Sequence, residues 1–313
     1  MFAVFQQTIS ITAPVFVMLF LGLGLRRLGW IDAAFINTAS ALVFRATMPV
    51  LLFLGIVQAD LKTALQPALI AYFIGATTVS FLLAWAWAHW RCPQEDRGVF
   101  VQGAFRGNNG IVGLALATSM YGDYGLAVGS VLAGVVIFCY NVLSIIVLAI
   151  YAPGVKSDFV AIVRSIVTNP LIIGVALAIP VAYWQLQLPE WLLTSAGYFA
   201  HMTLPLALIC IGGTLSLAAL RKSSSIALSS SLMKLVWLPL VTTLGAWLFG
   251  FRDADLAILF LYFASPTAAA SYVMAREVGA NHELAAAIIV ISTLLAVITV
   301  NLGLLLMQAI GWV

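Results

Sequence analysis

Charged residues are scarce in this chain. Aspartate, glutamate, lysine and arginine make up only 8% of the 313 residues, whereas 63% are hydrophobic. Because a soluble domain carries about 25% charged residues, the composition excludes a soluble protein and predicts an all-α integral membrane protein surrounded by a lipid bilayer. The net charge of +3 is no signal of nucleic-acid binding, and we expect no nucleic-acid partner.

Residues that build metal or catalytic sites are few as well. Cys92, Cys139 and Cys210 are the three cysteines, and they show no metal-binding spacing, so we expect no metal and no cofactor. An intramembrane protease would need paired aspartates, a Ser/His pair or a zinc-binding His-Glu-x-x-His motif inside the apolar segments, and we find none of these. We therefore do not expect an enzyme.

The sequence is rich in long apolar segments. A membrane-spanning helix needs about 20 mainly apolar residues, and this length predicts ten spans with no soluble domain between them. The predicted spans cover residues 8–26, 35–57, 67–90, 98–120, 124–151, 161–184, 192–219, 227–250, 254–276 and 283–310.

The cations in the connections are unevenly distributed. Those that follow odd-numbered spans are Arg26, Arg27, Arg91, Arg97, Lys156, Arg164, Arg221, Lys222 and Arg276. The even-numbered connections hold only Lys62 and Arg252. The positive-inside rule places the richer set in the cytoplasm. We therefore expect a multi-pass protein of the cell (inner) membrane with both termini outside the cytoplasm.

Two stretches interrupt spans four and nine. Residues 105–113 contain Arg106, two asparagines and three glycines, and residues 263–271 contain Pro266 in mid-segment. Glycine and asparagine are poor helix formers, and proline removes a backbone donor. Lipid offers no partner for freed backbone groups, so we expect two unwound crossings that face a water-filled cavity. Ordinary kinks that only help packing are the alternative.

The two interruptions occupy equivalent places in a repeat. A shift of 158 residues places Phe105 on Phe263, and a shift of 156 aligns prolines of the first and second spans with prolines of the sixth and seventh. The chain thus divides into two five-span halves, residues 1–151 and 152–313. Because five is odd, the second half enters the membrane in the opposite orientation, which makes an inverted repeat typical of secondary transporters.

Several short motifs together resemble those of one transporter family. They are Arg106-Gly107-Asn108-Asn109-Gly110-Ile111-Val112-Gly113, Tyr121-Gly122, Asn169-Pro170, Leu204-Pro205-Leu206-Ala207-Leu208 with Gly212, Ser265-Pro266 and Ser292-Thr293-Leu294. On these motifs the chain resembles the auxin efflux carrier family of membrane transport proteins, and most of all its bacterial members described as malonate or malate transporters. The similarity covers nearly the whole chain.

The resemblance implies a ten-helix fold of two inverted five-helix repeats, with spans four and nine crossing as broken helices at the substrate site. It also implies a domain that moves against a scaffold of spans one, two, six and seven, and a homodimer. Relatives often carry a proline soon after the asparagine of span four, where this chain has Leu114-Ala115. The chain also lacks the long hydrophilic loop of plant members between spans five and six, which bears on whether auxin is a substrate.

The charges predicted near span centres are all positive. They are Arg45 in span two, Arg106 in span four and Lys234 in span eight, whereas none of the 11 acidic residues lies at a span centre. Ionisable residues inside a membrane are functional candidates, and the arginine fork suits a carboxylate. We expect all three to bind an anion. The alternatives are that Lys234 extends to the membrane surface, that Arg45 pairs with carbonyls freed at Pro49, and that Arg106 only braces the crossing.

Neutral residues complete the candidate substrate site. They are Asn108, Asn109 and Gly110 in the first crossing, and Ser265, Pro266 and Thr267 in the second. The alternative for the two hydroxyls is a hydrogen bond to a carbonyl of their own helix. His201 stands at the repeat position of Arg45 and is the candidate for proton coupling, with a structural role as its alternative.

These patterns lead to the hypothesis of a secondary transporter for small organic anions, such as malonate, malate or an auxin-like acid, working by alternating access. The direction of transport and its coupling to a proton or sodium stay open. The alternatives are a cation/proton antiporter or sodium-coupled organic-anion symporter of related inverted-repeat fold, and a passive anion channel. An antiporter of this kind would need a central carboxylate, which we do not find.

Overall fold

The computed structural model describes residues 2–58, 65–151, 167, 168, 170–214 and 225–313, and it is built from helices. The first part of the chain forms α1 (Phe2–Arg27), α2 (Ala33–Leu42), α3 (Met48–Val57), α4 (Pro67–Arg91), α5 (Arg97–Phe105) and α6 (Leu114–Tyr151). The second part forms α7 (Pro170–Tyr183), α8 (Glu190–His201), α9 (Thr203–Thr214), α10 (Ser225–Leu232), α11 (Leu238–Leu248), α12 (Asp253–Ala264), α13 (Ala270–Glu277) and α14 (His282–Ala309).

Six helical segments are long and apolar enough to cross a membrane, which confirms the prediction of an all-α membrane protein. They are Ala33–Val57, Pro67–Arg91, Asn109–Tyr151, Glu190–Thr214, Ser225–Leu248 and His282–Ala309. The full ten-span arrangement stays a prediction, since parts of spans six and seven fall outside the described residues. The same holds for membrane orientation, because Lys62, Lys156, Arg164, Arg221 and Lys222 also fall outside them.

The chain reverses direction inside α6. Gly122 has φ 53° and ψ −132°, a left-handed conformation that a residue with a Cβ rarely adopts. A Cβ added at Gly125 would overlap the carbonyl group of Ala117, eight positions earlier. In a straight helix these residues would be about 12 Å apart along the axis. The continuous helix Leu114–Tyr151 is therefore two segments folded back on each other, at the predicted boundary between spans four and five.

Two π-helical turns each precede a proline. Val43–Thr47 separates α2 from α3, which has Pro49 in its first turn, and Met233–Trp237 separates α10 from α11, which has Pro239 in its first turn. Proline has no N–H to donate to the residue four positions back. That residue lies within the π-helical turn in both cases, and the widened turn accommodates the missing hydrogen bond.

Glycines allow close contacts between the two parts of the chain. A Cβ at Gly22 of α1 would overlap the backbone of Ile209 in α9, and a Cβ at Gly212 of α9 would overlap the backbone of Leu19. Small residues at such contacts let membrane helices approach backbone to backbone. α3 and α7 also approach backbone to backbone, because a Cβ at Gly174 of α7 would overlap the backbone of Pro49 in α3.

The centre of the molecule is formed by the two short helices that precede the interruptions. All residues from Gly98 to Phe105 in α5 and from Leu256 to Ala264 in α12 are buried. A helix that is apolar on every side lies in an interior. Large apolar side chains are exposed on the outer helices instead, among them Val17, Leu82, Leu228 and Leu302. The interruptions therefore lie deep inside the helical assembly.

Candidate functional site

The two interrupted segments lie side by side and share backbone hydrogen bonds. Gly107 and Thr267 form an isolated antiparallel bridge. The N–H of Asn108 donates to the Pro266 carbonyl at 2.7 Å, and the N–H of Ala268 donates to the Arg106 carbonyl at 3.1 Å. Each break thus supplies partners for backbone groups that the other break has freed. We refer to residues 106–109 and 265–268 as the crossing.

Local sequence explains why both helices end here. Ser265 has ψ 145°, because the residue before a proline is pushed out of the helical region. Arg106 leaves the helix with ψ 101° and is followed by Gly107. A Cβ at Gly107 would overlap Asn109 Oδ1 and lie 2.7 Å from Ser265 Oγ and 2.9 Å from Lys234 Nζ. Three polar side chains therefore converge on this glycine, and only glycine leaves room for them.

Asn109 links the two breaks through its side chain. Its Nδ2 donates to Tyr140 Oη at 3.1 Å, and its Oδ1 accepts a hydrogen bond from the Ser265 hydroxyl. Asn109 and Ser265 are fully buried. The pair joins the beginning of the π-helical turn Asn109–Gly113 to the end of α12. Ser265 Oγ also lies 2.9 Å from the Tyr262 carbonyl of its own helix.

Thr267 fastens the second break to its surroundings. Its hydroxyl donates to the Gly103 carbonyl of α5 at 2.8 Å, and its N–H donates to Ser292 Oγ of α14 at 3.1 Å. The alternative that Thr267 bonds to a carbonyl of its own helix is therefore wrong. Its hydroxyl instead satisfies a carbonyl in the last turn of α5, where the helix provides no partner.

Lys234 brings a cation into the crossing from the π-helical turn Met233–Trp237. The residue is 1% exposed, and its Nζ donates to the Phe263 carbonyl at 2.7 Å. This carbonyl belongs to the last turn of α12, where the helix dipole is negative and carbonyls lack helical partners. The side chain does not extend to the membrane surface, so that alternative for Lys234 is wrong.

Arg106 supplies a second buried cation, and its guanidinium points towards α6 and α13. Its Nη1 donates to Ser144 Oγ at 3.1 Å, to the Tyr140 carbonyl at 3.4 Å and to Met274 Sδ at 3.1 Å. Its Nη2 donates to Asn141 Oδ1 at 3.0 Å. All four acceptors are neutral. These contacts orient the guanidinium, and no acidic residue in the described part of the chain pairs with it.

Three buried polar atoms beside Met274 have no hydrogen-bond partner within the described residues. They are Arg106 Nε, Gln102 Oε1 and Ser271 Oγ. Gln102 Nε2, like Arg106, donates to Met274 Sδ, at 3.5 Å, and Ser271 lies three positions before Met274 on α13. Because buried polar atoms without partners are rare in folded proteins, these atoms mark a place suited to a ligand or to water.

The remaining predicted site residues divide into two groups. Asn108 in the crossing and Gly110 next to it are half-buried. Among the described residues no hydrogen-bond partner is found for the Asn108 side chain. Arg45 and His201 are exposed and are not brought to the crossing. Arg45 belongs to the π-helical turn Val43–Thr47, and His201 is the last residue of α8. Their predicted roles in anion binding and coupling stay untested.

Several residues of the site were missed by sequence reasoning. Tyr140 and Ser144 contact the crossing from α6, and Gln102, Met274 and Ser292 from α5, α13 and α14. Two of them gave a signal that could have found them: Gln102 is a polar residue inside an apolar segment, and Ser292 belongs to the Ser292-Thr293-Leu294 motif. Asn141 of α6, another polar residue inside an apolar segment, is a direct partner of Arg106.

Comparison with known proteins decides the family. The model of the membrane transport protein family matches residues 8–303. The chain belongs to this family. The resemblance to auxin efflux carriers that the motifs indicated is thereby confirmed. The protein is a membrane transporter by family, and transporters of this kind are generally not enzymes.

Two relatives of this transporter cover nearly its whole length. An "uncharacterized transporter" of Methanothermobacter thermautotrophicus is 25% identical over 303 residues, which is 96% of this chain and 98% of the relative. A "putative malonate transporter" of Rhizobium meliloti is 27% identical over 313 residues, covering 93% of each chain.

Proposed function

We propose that this protein is a secondary transporter of small organic anions, mono- or dicarboxylates such as malonate or malate, and that the crossing binds the substrate. The observation that carries the proposal is the presence of two buried basic side chains, Arg106 and Lys234, whose hydrogen-bond acceptors among the described residues are all neutral. The name of the Rhizobium meliloti relative supports malonate as the first substrate to test.

Burying the charges of Arg106 and Lys234 is costly. An ion in a low-dielectric interior loses several kcal/mol of solvation unless a counter-charge compensates it. Arg106 and Lys234 are 8% and 1% exposed, and their side chains contact different elements around the crossing. In this proposal a carboxylate that reaches either side chain forms an ion pair that offsets part of the cost.

The half-buried side of the crossing is the proposed point of entry. The Asn108 amide and the backbone at Gly110 face this side, and both are more accessible than the fully buried Asn109 and Ser265. An amide group donates to a carboxylate without adding charge. In this account Asn108 contacts the substrate, whereas Asn109 and Ser265 hold the two breaks together.

The proposed transport cycle is alternating access of an inverted repeat. Spans one, two, six and seven form the scaffold, as the family resemblance implies, and the remaining spans carry the crossing past it. The close contacts of α1 with α9 and of α3 with α7 support this division, because tightly packed pairs suit a fixed body. We further propose a homodimer in the cell membrane, with both termini outside the cytoplasm and with coupling to a proton or sodium or to neither.

Thermal unfolding of the purified protein against a panel of anions tests the proposal. The panel contains malonate, malate, succinate, lactate and indole-3-acetate, with chloride as control. A ligand that binds only the folded state stabilises it by about 2.7 kcal/mol at 100 times its dissociation constant. We expect Tm to rise with one or two carboxylates and not with chloride. Asn108→Ala, which removes no side-chain hydrogen bond found among the described residues, is expected to keep the ligand-free Tm and lose most of the shift.

Other results with these anions would change the proposed function or the proposed role of Asn108. No shift with any carboxylate, together with a shift caused by sodium or by pH, would favour the cation/proton antiporter. A carboxylate shift that is equally large in Asn108→Ala would remove Asn108 from the site while leaving the anion substrate in place.

A further inference from the structure

A cleft outside the crossing lies between the end of α4 and the beginning of α10. It has a volume of about 240 Å³ and is lined by Trp87, Arg91, Cys92, Ser225, Ile226 and Ser229. Pockets that enclose a whole small molecule measure about 300–1,000 Å³. The cleft is therefore large enough for a headgroup fragment, and the rest of the bound molecule has to lie outside it.

The lining of the cleft favours an anion. The Arg91 guanidinium lies 5.8 Å from the centre of the Trp87 ring, a cation–π contact that orients the group without using its N–H donors. Ser225 and Ser229 are one helical turn apart and present hydroxyls from the facing helix. Arginine donors arranged as a fork, supplemented by hydroxyls, are suited to the oxygens of a phosphate group.

None of the described residues that line the cleft carries a carboxylate. The nearby Asp96 accepts a hydrogen bond from Asn281 Nδ2 at 2.8 Å. Burial, with a further contribution from Asp96, raises the pKa of the Cys92 thiol to about 11. The thiol is therefore neutral at physiological pH and does not repel an anion.

The surroundings of the cleft are typical of a membrane–water boundary. Trp90 at the end of α4 is 79% exposed, and tryptophan is enriched where the bilayer meets water. Leu83 on α4 and Leu228 and Leu232 on α10 are exposed large apolar residues of the same two helices. A molecule whose head occupies the cleft would thus have apolar protein surface beside it for hydrocarbon chains.

We propose that this cleft binds the phosphate group of an anionic phospholipid, with its acyl chains along the exposed faces of α4 and α10. Arg91 supplies the charge, Ser225 and Ser229 the neutral donors, and Trp87 and Ile226 the apolar wall. The site is separate from the crossing, so it neither depends on the transported substrate nor identifies it.

Native mass spectrometry of the detergent-purified full chain, titrated with phosphatidylglycerol, tests this site. We expect one tightly retained lipid in the wild type and a dissociation constant about tenfold higher in Arg91→Ala, since a charge-assisted hydrogen bond is lost. Arg27→Ala is the matched control, because Arg27 is also an exposed arginine at a helix end but does not line the cleft. It is expected to bind lipid as the wild type does.

Further measurements distinguish a phospholipid headgroup from free inorganic phosphate as the bound group. A double variant, Ser225→Ala with Ser229→Ala, is expected to weaken lipid binding while keeping the elution profile of the folded protein. Inorganic phosphate in excess is expected not to displace the lipid. Equal weakening in Arg91→Ala and Arg27→Ala would show general attraction to charge and overturn the proposal. Arg91-dependent binding of inorganic phosphate without lipid retention would overturn the lipid as occupant.

Discussion

At the residue scale, Lys234 is the most unusual feature of the crossing. It is a buried ammonium whose hydrogen-bond partner is one backbone carbonyl, that of Phe263. A buried charge without a counter-charge costs several kcal/mol, whereas an unpaired carbonyl costs about 1–3 kcal/mol. A buried amine without a counter-charge can avoid this cost by losing its proton, whereas an anion beside it favours the charged form. This coupling of charge to an anion is the reason to assign Lys234 to the substrate site.

The variant Lys234→Met is expected to have opposite effects on malonate binding and on the thermal stability of the protein. Lys234→Met keeps an unbranched side chain and removes the charge, so we expect the ligand-free protein to have a higher Tm than the wild type. The Tm shift with malonate should be lost, because one of the two proposed counter-charges is gone. Arg27→Met, at an exposed position, should change neither quantity. A full malonate shift in Lys234→Met would show that the ammonium does not contact substrate.

The sequence predicted the residues of the crossing better than their partners. Arg106, Asn109 and Lys234 could be selected because charges and amides are rare in apolar segments. Tyr140 and Met274, at sequence separations of 31 and 168 from the residues they contact, could not, because one sequence does not show which helices pack together. Arg45 and His201 satisfied the same criterion of rarity, yet both are exposed.

At the scale of elements, the crossing depends on two helices ending at the same place. Glycine, asparagine and proline end helices through local chemistry, and for that reason the positions of both breaks were predictable. The antiparallel bridge between Gly107 and Thr267 required tertiary packing and was not predicted. The π-helical turns before Pro49 and Pro239 were also missed, although each proline is a visible local signal.

A substitution at Gly107 tests whether the polar side chains of the two broken helices converge on this residue. Gly107→Ala would place a methyl group against Asn109 Oδ1, Ser265 Oγ and Lys234 Nζ, and overpacking of this kind costs about 1–3 kcal/mol. Gly75→Ala is the matched control, because no atom lies within 4 Å of its added Cβ inside α4, and alanine favours a helix by about 0.5–1 kcal/mol. Thermal unfolding should show a lower Tm for Gly107→Ala and an unchanged or higher Tm for Gly75→Ala. Equal Tm values would contradict the convergence of polar groups on Gly107.

At the scale of the whole molecule, the two parts of the chain are interlocked. α1 packs closely on α9, α3 on α7, and the crossing joins α5 to α12 and α13. Composition and the lengths of the apolar segments predicted a helical membrane protein, because both are set by the surrounding lipid and not by which helices pack together. The equivalent breaks predicted that two distant segments act as one site. The structure brings the two segments into contact, and their action as one substrate site stays a prediction. The proposed movement of the crossing against the scaffold would involve two conformations, and the sequence gives no direct signal for it.

Transport of an organic anion through the crossing is tested by uptake of radiolabelled malonate into liposomes that contain the purified protein. We expect uptake that saturates at rising malonate concentration, that is strongly reduced in Asn108→Ala and Lys234→Met, and that persists in Gly75→Ala. Saturation reflects a site that must be loaded and reoriented in each cycle. Malonate flux that rises linearly without saturation and is the same in all four proteins would contradict the account, because it would show a passive pathway that does not use the buried cations of the crossing.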